Sequence, residues 1–287
     1  MFSAYFTQIC NHISICVFND KTFIMISREL VDSYIEWFEE YVHQFIIEHP
    51  GLEENIQIKA GHCHKVSKEI VGIALDLKLD EEEVLLAEII GLFHDVGRFK
   101  QYVKYNTFSD SKSQNHAELA IEVLEENQVL KDLSQENINI IYKAILNHSR
   151  AEITPDKNEQ VIFFSKLIRD ADKLDIWRLI TEYYMLKEQN TGNGNKTLEL
   201  ELPDIQEISD EVLEAILNRR VVLKESMKTL NDFKLLQIAW LFDLNFEYSV
   251  KRLYQKRYLD KIFDTLPPSH KVQQVRSLVD NYMNRFI

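Results

Sequence analysis

The chain is predicted to be all-α. Only 7 glycines and 5 prolines occur in 287 residues, too few for many tight-turned strands. Long stretches are rich in Glu, Lys, Leu and Ile, and their apolar residues recur three and four apart. With 45% hydrophobic residues, the length supports one large domain or two modest ones around a real core.

Residues 1–24 are aromatic and weakly charged, and they lack the basic start, apolar centre and small-residue cleavage site of a secretory signal. They are expected to form a poorly ordered extension, or to come from an upstream start, ahead of the regular pattern that begins at Met25. From about Arg28 to His49, Leu30, Tyr34, Trp37, Tyr41 and Phe45 form the stripe of a core-facing cover helix, stopped by Pro50-Gly51. A second helix is expected from about Ala60 to Leu77. It carries His62 and His64, which cannot share a face. Val66, Ile70, Ile73 and Leu77 fall on one stripe with His62, whereas His64 leads into the more polar Ser67, Lys68 and Val71. His62 therefore points inward, where a lone histidine is ordinarily a hydrogen-bonded core residue.

Asp80-Glu81-Glu82-Glu83 reads as a capping box that opens a helix apolar almost all round. That helix ends at His94-Asp95, and Gly97 is expected to take the left-handed turn that closes it. Imidazole and carboxylate side by side at a helix end suit a divalent metal with positions left open for water and substrate. A His-Asp dipeptide by itself is common. Residues 98–113 show no clear period and read as a loop. Ser113 or Asn115 can cap the next helix, with His116 in its first turn; a further helix from near Ser134 carries Ile141, Ala144, Ile145 and His148 on one stripe. Taken singly, His116 and His148 are surface or core histidines. After Pro155, a helix from about Glu159 places Val161, Ser165, Ile168, Asp172, Ile176 and Leu179 on one face. A carboxylate such as Asp172 on an inward face requires a cation or partner.

The small-polar run Asn190 to Asn195 and the alternating Thr197 to Leu202 suggest a subdomain boundary or a mobile flap, followed by a short strand. From Ser209 onward the pattern is helical, with Pro267-Pro268 between the last two helices. The aromatic stretch Trp240 to Phe246 is expected to pack over the cleft or to form a dimer interface, core packing being preferred.

Collected in order, the inward or helix-end donors are His62, His94, Asp95, His116, His148 and Asp172. Four imidazoles and two carboxylates suffice for two metal ions sharing a carboxylate. Three stretches, His62-Cys63-His64-Lys65-Val66, Leu92-Phe93-His94-Asp95-Val96-Gly97 and Ala171-Asp172-Lys173-Leu174-Asp175, with the additional His116 and His148, resemble the HD superfamily of metal-dependent phosphohydrolases over about residues 58–185. The resemblance implies an all-helical bundle with a central site and a C-terminal helical addition. It divides the chain into 1–57, 58–185 and 186–287. It also implies that His62, His94, Asp95 and Asp172 hold one metal, while His116 and His148, bridged by Asp95, hold a second. His64 remains the rival for the first position. Asp170 is expected at the surface, and Asp175 as a carboxylate that steadies the helix or orients a ligand.

The activity implied is hydrolysis of a phosphate ester or anhydride in a small phosphorylated compound such as a nucleotide, with Mn, Fe, Mg, Co or Zn. Asp95, Arg98 and Lys173 are the catalytic candidates, and Lys65, Lys112 and Arg150 are further candidate phosphate contacts. A di-iron oxygenase and a non-catalytic nucleotide-binding regulatory module are the alternatives. No P-loop, GxGxxG or Ser-His-Asp arrangement competes. A net charge of −13 without a basic run argues against duplex nucleic acid as a partner. Acidity does not exclude anionic substrates, because bound divalent cations invert the local field. With no 18-residue apolar run and three cysteines (Cys10, Cys16, Cys63) lacking CxxC spacing, a cytoplasmic, non-membrane protein is expected, with a homodimer open.

Overall fold

The computed structural model describes residues 15–18, 21–188, 199, 202–220, 222 and 224–287. Among the described residues there are twelve α-helices, three short 3-10 turns and one antiparallel hairpin. The architecture is all-α, as expected, apart from one short hairpin: β1 (Ile15–Phe18) pairs with β2 (Lys21–Ile24), where a loose extension was expected. Both segments are rich in β-branched and aromatic residues, with turn-type Asn19-Asp20 between them. Residues 1–14 lie outside the described residues.

Helix α1 (Arg28–Glu48) opens at Ser27, whose hydroxyl accepts the Leu30 N–H at 3.3 Å. Its buried stripe is Val31, Tyr34, Phe38 and Val42, turned slightly from the expected one. Trp37, Tyr41 and Phe45 flank that stripe and reach over it to Phe93 and Phe99. Helix α2 (Glu53–Asp76) begins well before Ala60, with Glu53 and Glu54 favouring its N-terminus and Ile56 in the core. Helix α3 (Glu81–Phe93) carries the expected capping box at Asp80 and Glu83.

Gly97 does not make a left-handed turn. It opens a further helix, α4 (Gly97–Tyr105), within the stretch read as a loop. A Cβ on Gly97 would lie 2.2 Å from the His116 carbonyl oxygen and 2.4 Å from the Ala120 nitrogen. Glycine is required there for the close approach of α4 to helix α5 (His116–Glu126), not for a positive φ. Only Phe99, Gln101 and Tyr102 of α4 follow Gly97 into the interior, too short a pattern to show a period. Asn115 caps α5, accepting from the Ala117 and Glu118 N–H groups.

Helix α6 (Gln135–His148), capped by Ser134, and helix α7 (Glu159–Glu188) complete the bundle: α2 packs on α3 and α7, and α6 packs on α7. From Phe164 to Trp177, α7 is buried on nearly every side. Helices α8 (Asp210–Leu217), α9 (Leu230–Ala239), α10 (Glu247–Lys256), α11 (Tyr258–Asp264) and α12 (His270–Met283) follow, with α10 and α11 lying against α7 and Pro267-Pro268 separating α11 from α12. The expected flap at 190–195 lies outside the described residues. Of the expected strand after it, only Glu199 and Leu202 are described. The Leu202 N–H donates to the Glu199 carbonyl at 3.1 Å, which is a turn and not strand pairing. Among the described residues, no helix is long and apolar enough to cross a membrane.

Candidate metal centre

Five helices deliver six side chains to one buried place. His62 comes from the middle of α2, His94 and Asp95 follow the last turn of α3, His116 opens α5, His148 ends α6, and Asp172 lies midway along α7. The four histidines and Asp95 are at most 7% exposed. His64 turns away, 2.7 Å from Glu39. The inward stripe of α2 therefore selects His62, as its register with Val66, Ile70 and Ile73 requires.

The six side chains form two facing pairs of imidazoles around one carboxylate. Nε2 of His62 and Nε2 of His94 stand 3.2 Å apart, and those of His116 and His148 stand 3.0 Å apart. Asp95 Oδ2 faces the first pair at 3.7 and 3.9 Å, while Oδ1 faces the second at 3.3 and 3.7 Å. Asp172 Oδ1 lies 3.0 Å from His62 Nε2 and 3.6 Å from His94 Nε2. Two sets of donor atoms, His62 with His94 and Asp172, and His94 with Asp95 and His148, are each close enough to hold one metal ion.

The opposite ring nitrogens decide what these pairs need. Nδ1 of His94 donates to the Gly91 carbonyl at 2.8 Å, and Nδ1 of His148 to the Ile145 carbonyl at 2.5 Å. Nδ1 of His62 donates to Asp175 Oδ2 at 2.8 Å, and that of His116 to both Asp110 oxygens at 2.8 and 2.9 Å. Carbonyls and ionised carboxylates only accept, so each Nδ1 carries a proton, and any ring in its neutral form presents its Nε2 lone pair inward. Lone pairs facing each other at hydrogen-bond distance repel. A cation between them removes the conflict, and the imidazole and carboxylate donors suit Zn, Mn, Fe or Co. The residues present thus fit a bound divalent metal.

The electrostatics agree with that need. Burial would raise the Asp95 carboxyl, but Lys59, Arg98 and His94 outweigh it and hold it well below the usual carboxylate range. Asp172 is likewise held low by His62 and His94 against the effect of burial. Burial lowers His94, and burial with the nearby Arg98 guanidinium lowers His116 to about 4, which keeps both rings neutral near pH 7. His62 is the exception: burial opposes its protonation, yet hydrogen bonds to Asp172 and Asp175 raise it.

Three groups complete the surroundings, two of them not singled out from the sequence. Lys59 donates to Asp95 Oδ2 at 2.9 Å, one helical turn before His62 on the same face. A lysine on that apolar stripe was the available signal, hidden by placing the helix start at Ala60. Asp110, from a 3-10 turn at Asp110–Lys112, orients His116 and left no periodic trace. Arg98 donates to Asp95 Oδ1 at 3.3 Å and to His116 Nε2 at 3.3 Å, and its other donors hold Gln101, Asp110 and the Phe108 carbonyl. Its guanidinium faces the cluster and also pins the loop beside it.

The other basic candidates separate. Lys65 and Lys112 are exposed, Lys65 on the outer side of α2. Lys173 forms an ion pair with Asp243 at 2.8 Å, and with the exposed Arg150 it lines a cavity that reaches His148 and Asp172. Asp170 is not a surface residue. It is fully buried and accepts from the backbone N–H groups of Asn245 and Phe246 and from the Asn245 side chain. The helical pattern could not show this, because its partners come from the loop before α10. Trp240 stacks obliquely near Trp177, and Phe242 borders the same cavity. The aromatic stretch therefore packs over the cleft.

A helical bundle that gathers four imidazoles and two carboxylates at its centre has a donor set that could hold metal ions. Residues 60–177 match the family model for the HD domain, so this stretch of the chain is similar to that family. No curated protein and no solved structure matches the chain.

Proposed function

We propose that the protein is a metal-dependent phosphohydrolase that cleaves a phosphate ester or anhydride of a small phosphorylated compound, a nucleotide being one candidate. The observation that carries this reading is the two close pairs of inward Nε2 atoms flanking a single buried carboxylate. His62, His94, Asp95 and Asp172 would hold one cation, and Asp95, His116 and His148 a second. When bound, such cations acidify a water and neutralise phosphoryl oxygens.

The chain's own residues do the rest. Asp175, Asp110 and the Gly91 and Ile145 carbonyls fix the four rings in the tautomer that ligates. The half-buried Lys59 and Arg98 place positive charge against Asp95, where a phosphoryl group entering the cleft meets donors already in position. Lys173 lines the cavity and is paired with Asp243 rather than with a residue of the cluster, so its part is to bind substrate and not to hold the reacting atoms.

The test is phosphate release from a panel of nucleotides and sugar phosphates with Mn added, run beside Asp95→Ala, with metal content measured on both proteins. Release by the unsubstituted protein alone supports the proposal. Full activity in Asp95→Ala would sink it. Metal binding with silence across the panel, and iron-dependent oxygen uptake, would replace it with the di-iron oxygenase.

A further inference from the structure

A cavity of about 690 Å³ opens beside the cluster, with His148 and Asp172 at one end. That is the size of a small-molecule site. One wall is basic and comes from α7, with Arg169 and Lys173 one helical turn apart. The region beyond residue 199 supplies Leu236, Trp240 and Phe242, with the charged Arg219, Arg220 and Glu225 also lining the cavity.

The basic wall is unevenly balanced. Arg169 is 6% exposed and Lys173 8%, so both are cations held largely out of water. Both contact the same oxygen, Asp243 Oδ2, at 2.7 and 2.8 Å. Among the described residues, Asp243 is the only carboxylate within ion-pair distance of either. The neighbouring acid, Asp170, feels the Lys173 charge but makes its hydrogen bonds to the Asn245 and Phe246 amides and the Asn245 side chain. Two buried positive charges therefore share one carboxylate in direct contact, an arrangement that leaves room for a further anion.

Asp243 is also the exposed member of the group, at 50% for its side chain. Arg169 does not depend on it for position. Its guanidinium donates as well to the Asn147, Arg150 and Ala151 carbonyls. Backbone carbonyls fix its place and leave its charge uncompensated.

We propose that Arg169 and Lys173 form an anion subsite for a second phosphoryl group of the ligand, and that Asp243 occupies this subsite as a displaceable internal mimic. A phosphoryl dianion balances two cations where a carboxylate balances one. The ligand class is a compound with two phosphoryl groups, one directed to the His/Asp cluster and one to this pair, and a flat or apolar body against Trp240. Assigning the first phosphoryl group to the cluster rests on the phosphohydrolase reading; the subsite itself does not.

The test uses the full chain treated with chelator and titrated calorimetrically with orthophosphate, so that metal and turnover play no part. Saturable binding is expected. Asp243→Asn removes the competing charge and should tighten it roughly tenfold, the size of one charge-assisted contact. Lys173→Met keeps the stem and should weaken it by roughly the same factor. No phosphate binding, or equal or weaker binding in Asp243→Asn with unchanged melting, overturns the proposal. If Asp243→Asn melts early, Lys173→Met decides: unchanged binding overturns it. Acetate is the carboxylate control, and acetate binding as tight as phosphate overturns the phosphoryl assignment. Hydrolysis failing while phosphate binds would remove the phosphohydrolase reading and leave the subsite standing.

Discussion

Each inward histidine is specified twice, once by the face its helix presents and once by an acceptor on its far nitrogen. The first specification was legible in the sequence. His62 was separable from His64 because an apolar stripe runs through one and not the other, and His148 falls in register with Ile141 and Ile145. The second was mostly not legible. Asp110 meets His116 from a non-repeating turn, and Gly91 and Ile145 act through carbonyls that no side-chain pattern records. Asp175, three residues after Asp172, was the one orienting group within reach of the pattern. Asp175→Asn keeps the shape but weakens the acceptor, and should lower metal affinity roughly 10- to 100-fold, read by titration against a competing chelator. His116→Ala should reduce bound metal from about two equivalents to about one, while Asp95→Ala should abolish it, each with helical circular dichroism retained. A native stoichiometry of one, in protein purified without chelator, would remove the second position.

At the scale of elements, the cap of α3 was readable because Asp80 and Glu83 act within one turn of chain, whereas the role of Gly97 was not. The same glycine next to a His-Asp pair serves a turn or a close contact, and only the neighbour decides. Here the neighbour is the backbone of α5, which carries His116. Gly97→Ala forces α4 and α5 apart and should lower the melting temperature by roughly 5 °C or more. It should also weaken metal binding, because His116 shifts with its helix. Asp80→Ala makes the contrast: it costs about 1 kcal/mol of stability and should leave metal affinity unchanged. Equal metal affinity in both variants would show that α4 does not set the place of His116.

For the whole molecule, the centre joins helices far apart in sequence, so a bound cation adds to stability wherever it binds the folded chain alone. Chelation should therefore lower the melting temperature, and added Mn should restore it in proportion to the logarithm of its concentration. The pH dependence has a definite sign. His62 holds its proton above the ordinary histidine value because Asp172 and Asp175 outweigh burial, and a metal must displace that proton. Metal affinity should then fall as pH drops through the raised titration of His62 and level off above it. Calorimetry in two buffers of different ionisation enthalpy counts the proton released.

The turn of α7 from Arg169 to Lys173 faces three ways. Arg169 and Lys173 meet Asp243, Asp170 holds the loop at Asn245, and Asp172 enters the cluster. Everything that contributes to the cluster lies between Lys59 and Asp175, while the aromatic wall opposite comes from the stretch around Leu236 to Phe242. The two stretches answer to different demands and can vary independently. A lineage built on this plan can exchange what it accepts while inheriting what it does, with one helical turn as the fixed joint between the two.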